Sequence, residues 1–148
     1  MMNILFVCAG NTCRSPMAEA MLEKKVAERG ITGLYCASAG THVWPGDKAA
    51  RDTVAEMKSR GIDIQGRDAQ QLNDELAGRA DVILTMTEGV SQAVLVLFPE
   101  AEGKVFTLGE YVGEPGDVDD PYGCDETVYH ATANQIDGLL DKLLGKLA

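Results

Sequence analysis

The chain has 148 residues, which is enough for one compact domain and too few for two of ordinary size. Thirteen basic and twenty-three acidic residues give a net charge of −10, which disfavours nucleic acid and anionic lipid as binding partners. No stretch approaches the roughly 20 apolar residues that cross a bilayer, so no membrane contact is expected. We therefore expect a single globular domain over residues 1–148.

Short apolar runs alternate with segments of helical spacing along the chain. Four runs are typical of buried strands, namely residues 4–7, 34–37, 82–84 and 105–106. After the first run, Ser15 is predicted as an N-cap, Pro16 as the first helical residue and Gly30 as the residue that follows the last turn. Further helices are predicted over residues 48–60 and in the apolar stripe of residues 136–147.

This alternation predicts an α/β fold, with one parallel sheet of about four strands and helices on both faces. In such sheets, ligands bind beyond the carboxyl ends of the strands. The segment directly after the first strand is therefore the first place to expect a binding site.

That segment, residues 8–16, combines several features of an oxyanion site. A helix N-terminus offers unpaired backbone N–H groups and a partial positive charge. Gly10 and Asn11 readily adopt left-handed backbone angles, which lets a loop turn its amides inward around an anion. The planar guanidinium of Arg14 can bind two phosphate oxygens at once. The predicted phosphate-binding residues are Ala9, Gly10, Asn11, Thr12, Cys13, Arg14 and Ser15.

Cys8 lies at the end of the first predicted strand, where the positive potential of this loop is strongest. A helix N-terminus and a nearby arginine stabilise the thiolate, which is the nucleophilic form of cysteine. The Ser15 hydroxyl is in a position to donate a hydrogen bond to that thiolate. An isolated cysteine here would be only a small buried residue, but that interpretation leaves its polar neighbours unexplained.

The chain resembles the low-molecular-weight protein phosphatase family. The family signature is a cysteine, five residues, an arginine and a serine after the first strand, and Cys8 to Ser15 match it. Residues 120–123, Asp-Pro-Tyr-Gly, match the Asp-Pro loop that the family carries late in its chain. Segments 38–41, 80–86 and 106–108 also resemble the family, so the similarity covers nearly the whole chain. Without the resemblance, Asp-Pro-Tyr-Gly would be only a good turn.

The resemblance implies a two-step phosphatase reaction that needs no metal or other cofactor. Cys8 attacks the phosphoryl group while Asp120 protonates the leaving atom, which gives a phospho-cysteine. Water activated by Asp120 then releases phosphate, while Arg14 and the loop amides hold the equatorial oxygens. Asp119 is the alternative acid, and the proline that follows Asp120 favours Asp120.

Two departures from the family pattern bear on the substrate. Relatives that act on phosphotyrosine usually carry a bulky aliphatic residue at the position of Thr12 and two aromatics after Asp-Pro, where this chain has Tyr122 and Gly123. The combination resembles the protein-arginine phosphatase branch, so we expect phosphoarginine in proteins as the substrate, with phosphotyrosine as the alternative. Trp44 is a candidate for the substrate-binding wall, with His42 at the rim; the alternative is an ordinary buried or surface aromatic.

The four cysteines are expected to be thiols in a reducing, cytoplasmic compartment. The sequence has no Cys-x2-Cys pair, and its two histidines, His42 and His130, are not at ligand spacing from each other, so a zinc site is not expected. Cys13 lies in the same loop as Cys8, and we predict a reversible disulfide between them that switches the enzyme off. The alternative, of equal weight, is that Cys13 packs beneath the helix as a free thiol.

Many relatives support the phosphate loop with a histidine, whereas residues 66–67 of this chain are Gly-Arg, so the usual supporting network is not expected. The loop would also suit two further functions. Thioredoxin-coupled arsenate reductases share the loop but relay through two more cysteines in mid-chain, and none lies between Cys36 and Cys124. A phosphate-binding module without turnover would need neither Cys8 nor Asp120. The sequence leaves the oligomeric state open, with a monomer as the default.

Overall fold

The computed structural model describes residues 1–147 and contains one four-stranded parallel sheet with helices on both faces. The strands are β1 (Met2–Cys8), β2 (Leu34–Gly40), β3 (Val82–Thr85) and β4 (Val105–Thr107). The helices are α1 (Arg14–Glu28), α2 (Arg51–Ser59), α3 (Asp74–Arg79), α4 (Glu88–Leu97), α5 (Leu108–Tyr111) and α6 (Glu126–Leu147), with a short 3-10 turn at Pro99–Ala101. The predicted fold class and the positions of all four strands are confirmed.

The two faces of β1 pack against different sets of helices. Ile4, Phe6 and Cys8 point into a core shared with α1, α2 and α6, while Leu5 and Val7 point into a smaller core shared with α3 and α4. Successive side chains of a strand lie on opposite faces, so a strand that is covered on both sides must be apolar throughout. Each such buried side chain stabilises the fold by about 1.5–3 kcal/mol.

The strand order is β2-β1-β3-β4, and every pairing is parallel. The chain runs from β1 to one neighbour and then crosses to the other side of β1. The carboxyl end of β1 therefore lies at a topological switch point, which is where open α/β sheets leave a crevice for ligands. The loop from β1 to α1 begins at this crevice.

Two helix starts differ from the sequence prediction. α1 begins at Arg14, with Cys13 at the N-cap and no side-chain cap, so Ser15 lies inside the helix. α2 begins at Arg51 rather than at residue 48, because the backbone of Lys48 pairs instead with that of Asp68. None of the helices in residues 1–147 has the length and apolar character to cross a membrane.

Candidate active site

The loop between β1 and α1 closes around the sulfur of Cys8. Cys8 is the last residue of β1 and is almost completely buried. The backbone N–H of Asn11 donates to its Sγ at 3.3 Å, and the Ser15 Oγ lies 2.9 Å from the same sulfur. Two hydrogen-bonding groups thus converge on one sulfur atom at the N-terminus of α1.

Asn11 holds the loop in this shape from within. It is fully buried and has a φ of 55°, in the left-handed region that asparagine tolerates better than most residues. Its Nδ2 donates to the Oγ atoms of Ser15 at 2.8 Å and Ser38 at 3.0 Å, and its Oδ1 accepts the backbone N–H of Gln70 at 2.9 Å. Gly10, the other residue expected in this region, does not have a positive φ.

The Asn11 contacts also orient the hydroxyl of Ser15. Because Asn11 Nδ2 donates to Ser15 Oγ, that oxygen acts as an acceptor and its own hydrogen remains available to donate. The nearest acceptor is the Cys8 sulfur at 2.9 Å, since the Ala39 carbonyl lies farther away at 3.5 Å. The Ser15 hydroxyl therefore donates its hydrogen bond to the Cys8 sulfur and does not cap the helix backbone.

Arg67 supports the loop from outside. Its Nη1 donates to Asn11 Oδ1 at 3.3 Å, and its Nη2 donates to Ser38 Oγ at 2.5 Å and to Glu19 Oε1 at 2.6 Å. The absence of the family's histidine does not leave the loop unsupported, because this arginine fixes which end of the Asn11 amide faces Ser15.

Behind Arg67, two carboxyl groups of α1 lie one turn apart. Burial and the charge and hydrogen bond of Glu19 raise the pKa of Glu23 from its ordinary value of 4.5 to about 7. Burial and these same two carboxyl groups raise the pKa of Cys36 to about 12. The Cys36 thiol is therefore protonated and unreactive at neutral pH.

Arg14 is the first residue of α1 and is only 6% exposed. Its Nη1 donates to the Val118 carbonyl at 2.9 Å, and its Nη2 lies 3.8 Å from Asp120 Oδ2. Within the described residues, its buried Nε has no hydrogen-bond partner. An unpaired buried donor is destabilising, and an oxyanion bound in the loop would satisfy it.

Asp120 lies in the loop before α6, close to Arg14. Its Oδ1 accepts the backbone N–H of Tyr122 at 3.0 Å, which closes a local turn, and its side chain is 54% exposed. Asp120 lines the cleft above the phosphate loop, whereas Asp119 does not.

This cleft has a volume of about 700 Å³. Its lining brings together the phosphate loop, the segment before α2, the first turn of α2 and the Asp-Pro loop: Ala9, Gly10, Thr12, His42, Trp44, Asp47, Lys48, Ala50, Arg51, Asp52, Asp120, Tyr122, Gly123 and Tyr129. Trp44 is 77% exposed and Tyr122 is 70% exposed, so both are surface aromatics of the cleft rather than members of the core. Both rings are thus free to contact a substrate.

Cys13 is buried on the other side of the loop. Its Sγ lies 3.3 Å from the Tyr129 hydroxyl and 3.7 Å from Thr12 Oγ1. Burial and the hydrogen bond to Cys13 raise the pKa of Tyr129 well above its ordinary value, so its hydroxyl stays protonated. Cys8, Cys13, Cys36 and Cys124 are all thiols in this structure.

Three residues near the site were not predicted from the sequence: Glu19, Gln70 and Asp52. Glu19 and Gln70 act through tertiary contacts with the phosphate loop, and Asp52 reaches the cleft only because α2 begins where it does. Only Glu19 had a sequence signal of a role at the site, because it is a polar residue on a face of α1 that is otherwise buried. Gln70 and Asp52 had none.

A buried thiol at the switch point of a parallel sheet, bound by a loop amide and a serine hydroxyl at a helix N-terminus, is typical of a cysteine-dependent phosphate site. The sequence profile described as low molecular weight phosphotyrosine protein phosphatase matches residues 3–148. The chain belongs to this family, as the resemblance implied.

Relatives named as arginine phosphatases and relatives named as tyrosine phosphatases have similar sequence identity to this chain. A protein-arginine-phosphatase of Geobacillus stearothermophilus is 41% identical over 97% of this chain and 95% of its own. A low molecular weight protein tyrosine phosphatase from T. tengcongensis is 41% identical, covers 99% of both chains and superimposes with a TM-score of 0.94. A cysteine-to-serine mutant of a YwlE arginine phosphatase, with a phosphorylated active-site serine, is 39% identical over 99% of this chain and 95% of that one, with a TM-score of 0.93.

Proposed function

We propose that this chain is a protein phosphatase that hydrolyses phosphoarginine through a phospho-cysteine at Cys8. The observation that carries the proposal is the Cys8 sulfur, which accepts the Asn11 N–H and lies 2.9 Å from the Ser15 hydroxyl. Arg14, at the start of α1, has a buried Nε that is unpaired within the described residues. A simple phosphate-binding module would have no use for a nucleophile at that point. The phosphorylated serine of the cysteine-to-serine relative supports a nucleophile in this role.

The first step transfers the phosphoryl group to sulfur. The Cys8 thiolate attacks phosphorus, the bond from phosphorus to the guanidine nitrogen breaks, and Asp120 donates its proton to that nitrogen. Arg14 and the inward amides stabilise the equatorial oxygens, where charge is spread in the transition state.

The second step regenerates the enzyme. Water attacks the phospho-cysteine, gives a proton to the Asp120 carboxylate and releases phosphate, while the electron pair of the S–P bond returns to Cys8. The Ser15 hydroxyl, already directed at the sulfur, stabilises the departing thiolate.

Thr12 and Gly123 favour phosphoarginine as the substrate. Both line the cleft, and neither provides an apolar wall for a phenyl ring. The Thr12 oxygen can accept a guanidine N–H instead. Phosphotyrosine is the second candidate, favoured by the exposed rings of Trp44 and Tyr122 at the same cleft and by the tyrosine phosphatase among the relatives.

The test compares phosphate release from phosphoarginine and phosphotyrosine peptides of the same sequence. We expect faster release from phosphoarginine, and we expect Cys8→Ser to abolish release from both. Thr12→Ile should move the preference towards phosphotyrosine, because it replaces a polar wall with an apolar one. An unchanged preference would contradict the role given to Thr12, and turnover that survives Cys8→Ser would contradict the mechanism.

We also propose that Cys8 and Cys13 form a reversible disulfide under oxidation. Peroxide would take two electrons from the two thiols and leave as water, and a thiol reductant would restore activity. We expect the wild-type enzyme to recover its activity after brief peroxide treatment and reduction. We expect the activity of Cys13→Ala to be lost irreversibly. Equal recovery of the two proteins would count against the switch.

For its setting, we propose a cytoplasmic monomer that acts on phosphorylated proteins. A nucleophilic thiol must stay reduced to function, which favours a reducing compartment. Size-exclusion chromatography with light scattering at micromolar concentration tests the monomer.

A further inference from the structure

The cleft at the phosphate loop is lined by more acidic than basic side chains. Arg14, whose Nη2 lies 3.8 Å from the cleft residue Asp120, has a buried Nε that is unpaired within the described residues. The charged side chains that line the cleft are Asp47, Lys48, Arg51, Asp52 and Asp120. Lys48 is already bound to Asp68, a residue that does not line the cleft. A substrate that is anionic at its tip and cationic just behind it would complement this arrangement.

Asp52 has a fixed place in the cleft. It lies in the first turn of α2, and the residue at the start of that helix, Ala50, donates its backbone N–H to the Thr12 carbonyl at 2.9 Å. The first turn of α2 is thereby fastened to the phosphate loop. Asp52, Asp120 and Tyr129 all line this cleft.

The carboxylate of Asp52 is available to a ligand. The ion pairs formed within residues 1–147 do not include it. Asp120 cannot supply the same charge in the first step, because it must carry a proton in order to donate it.

Phosphoarginine and phosphotyrosine differ just behind the phosphate. The guanidinium of phosphoarginine is planar and cationic and keeps N–H donors on its unphosphorylated nitrogens, whereas the phenyl ring of phosphotyrosine is neutral and has none. A carboxylate is the acceptor that best matches a guanidinium, and its desolvation against a neutral ring is unfavourable.

We propose that Asp52 is a specificity residue whose ionised carboxylate accepts an N–H of the substrate guanidinium and disfavours the phosphotyrosine ring. The inference rests on the proposed phosphoarginine activity and adds the group that recognises the cation. Asp52 would bind the ground state and the transition state alike, so its effect falls mainly on KM.

The test measures kcat and KM of Asp52→Asn on phosphoarginine and phosphotyrosine peptides of matched sequence. We expect kcat/KM for phosphoarginine to fall about tenfold, the loss of one charge-assisted hydrogen bond, mostly through KM. For phosphotyrosine it should stay level or rise. Asp52→Glu, which keeps the charge, should restore part of the phosphoarginine activity.

Asp74→Asn is the matched control, because Asp74 also lies in the first turn of a helix, α3, but does not line the cleft. We expect it to leave the hydrolysis of both peptides unchanged, and thermal denaturation establishes that all variants are folded. Equal losses on both substrates, or no loss on phosphoarginine, would overturn the role of Asp52. Wild-type enzyme that is inactive on phosphoarginine but active on phosphotyrosine would instead overturn the proposed substrate.

Discussion

Arg67 provides the sharpest test of how the phosphate loop is supported. Replacing it with methionine keeps a stem of similar length and removes the donors that reach Asn11, Ser38 and Glu19. No partner is left entirely alone, since Gln70 still donates to Asn11 Oδ1 and Ser38 still donates to Glu19. The loss should therefore be smaller than that for breaking a fully buried ion pair.

The side chains of Arg67 and Glu19 are each about one-fifth exposed, which screens their attraction. A broken buried pair costs about 3–5 kcal/mol and an exposed one about 0–1 kcal/mol, so we expect roughly 2 kcal/mol here. For a domain of this size, that lowers Tm by about 6 °C. Asn11 should also lose part of its orientation, and kcat should fall about tenfold with little change in KM.

The assay combines thermal unfolding with kcat on p-nitrophenyl phosphate, for Arg67→Met and Arg67→Lys. Lysine keeps the charge beside Glu19 but cannot reach Ser38 and Asn11 with a planar fork. We expect Arg67→Lys to recover most of the stability and little of the kcat. If Arg67→Met has the same Tm and the same kcat as the wild type, the supporting role attributed to Arg67 is wrong.

Two further predictions concern packing and pH. A Cβ on Gly40 would lie 2.5 Å from the Ala9 carbonyl, so Gly40→Ala should destabilise the protein by about 1–3 kcal/mol and impair turnover. The control Gly138→Ala, which meets nothing within 4 Å and lies in α6, should instead stabilise it by about 0.5–1 kcal/mol in urea unfolding. Below pH 4.5 the stabilisation from protonated Glu23 is fully present, and it is lost as the pH rises through its folded pKa of about 7. Glu23→Gln should therefore gain about 1 kcal/mol relative to the wild type between pH 5 and 8, after solvent screening is allowed for. Curves of stability against pH that run parallel for the two proteins would contradict the raised pKa of Glu23.

The local features of the site were predictable because neighbours in the chain create them. The apolar run of β1, the left-handed Asn11 and the nearby Arg14 all lie within the first fourteen residues, and each has a short-range signature. The cap assigned to Ser15 was wrong for the same reason. A serine before proline satisfies the local rule for an N-cap, and only the position of the Cys8 sulfur shows what its hydroxyl does.

The sequence by itself determined the α/β fold, the strand that ends at Cys8 and the family to which the chain belongs, because periodicity and a compact motif are properties of contiguous residues. Only the tertiary structure decided which side chains support and surround that cysteine. Glu19, Ser38 and Arg67 come from three separate segments and meet because the sheet aligns the ends of β1 and β2. Asp52 faces the cleft because the pairing of Lys48 with Asp68 delays the start of α2. Such contacts depend on distances between segments far apart in the chain, and no local pattern of residues encodes them.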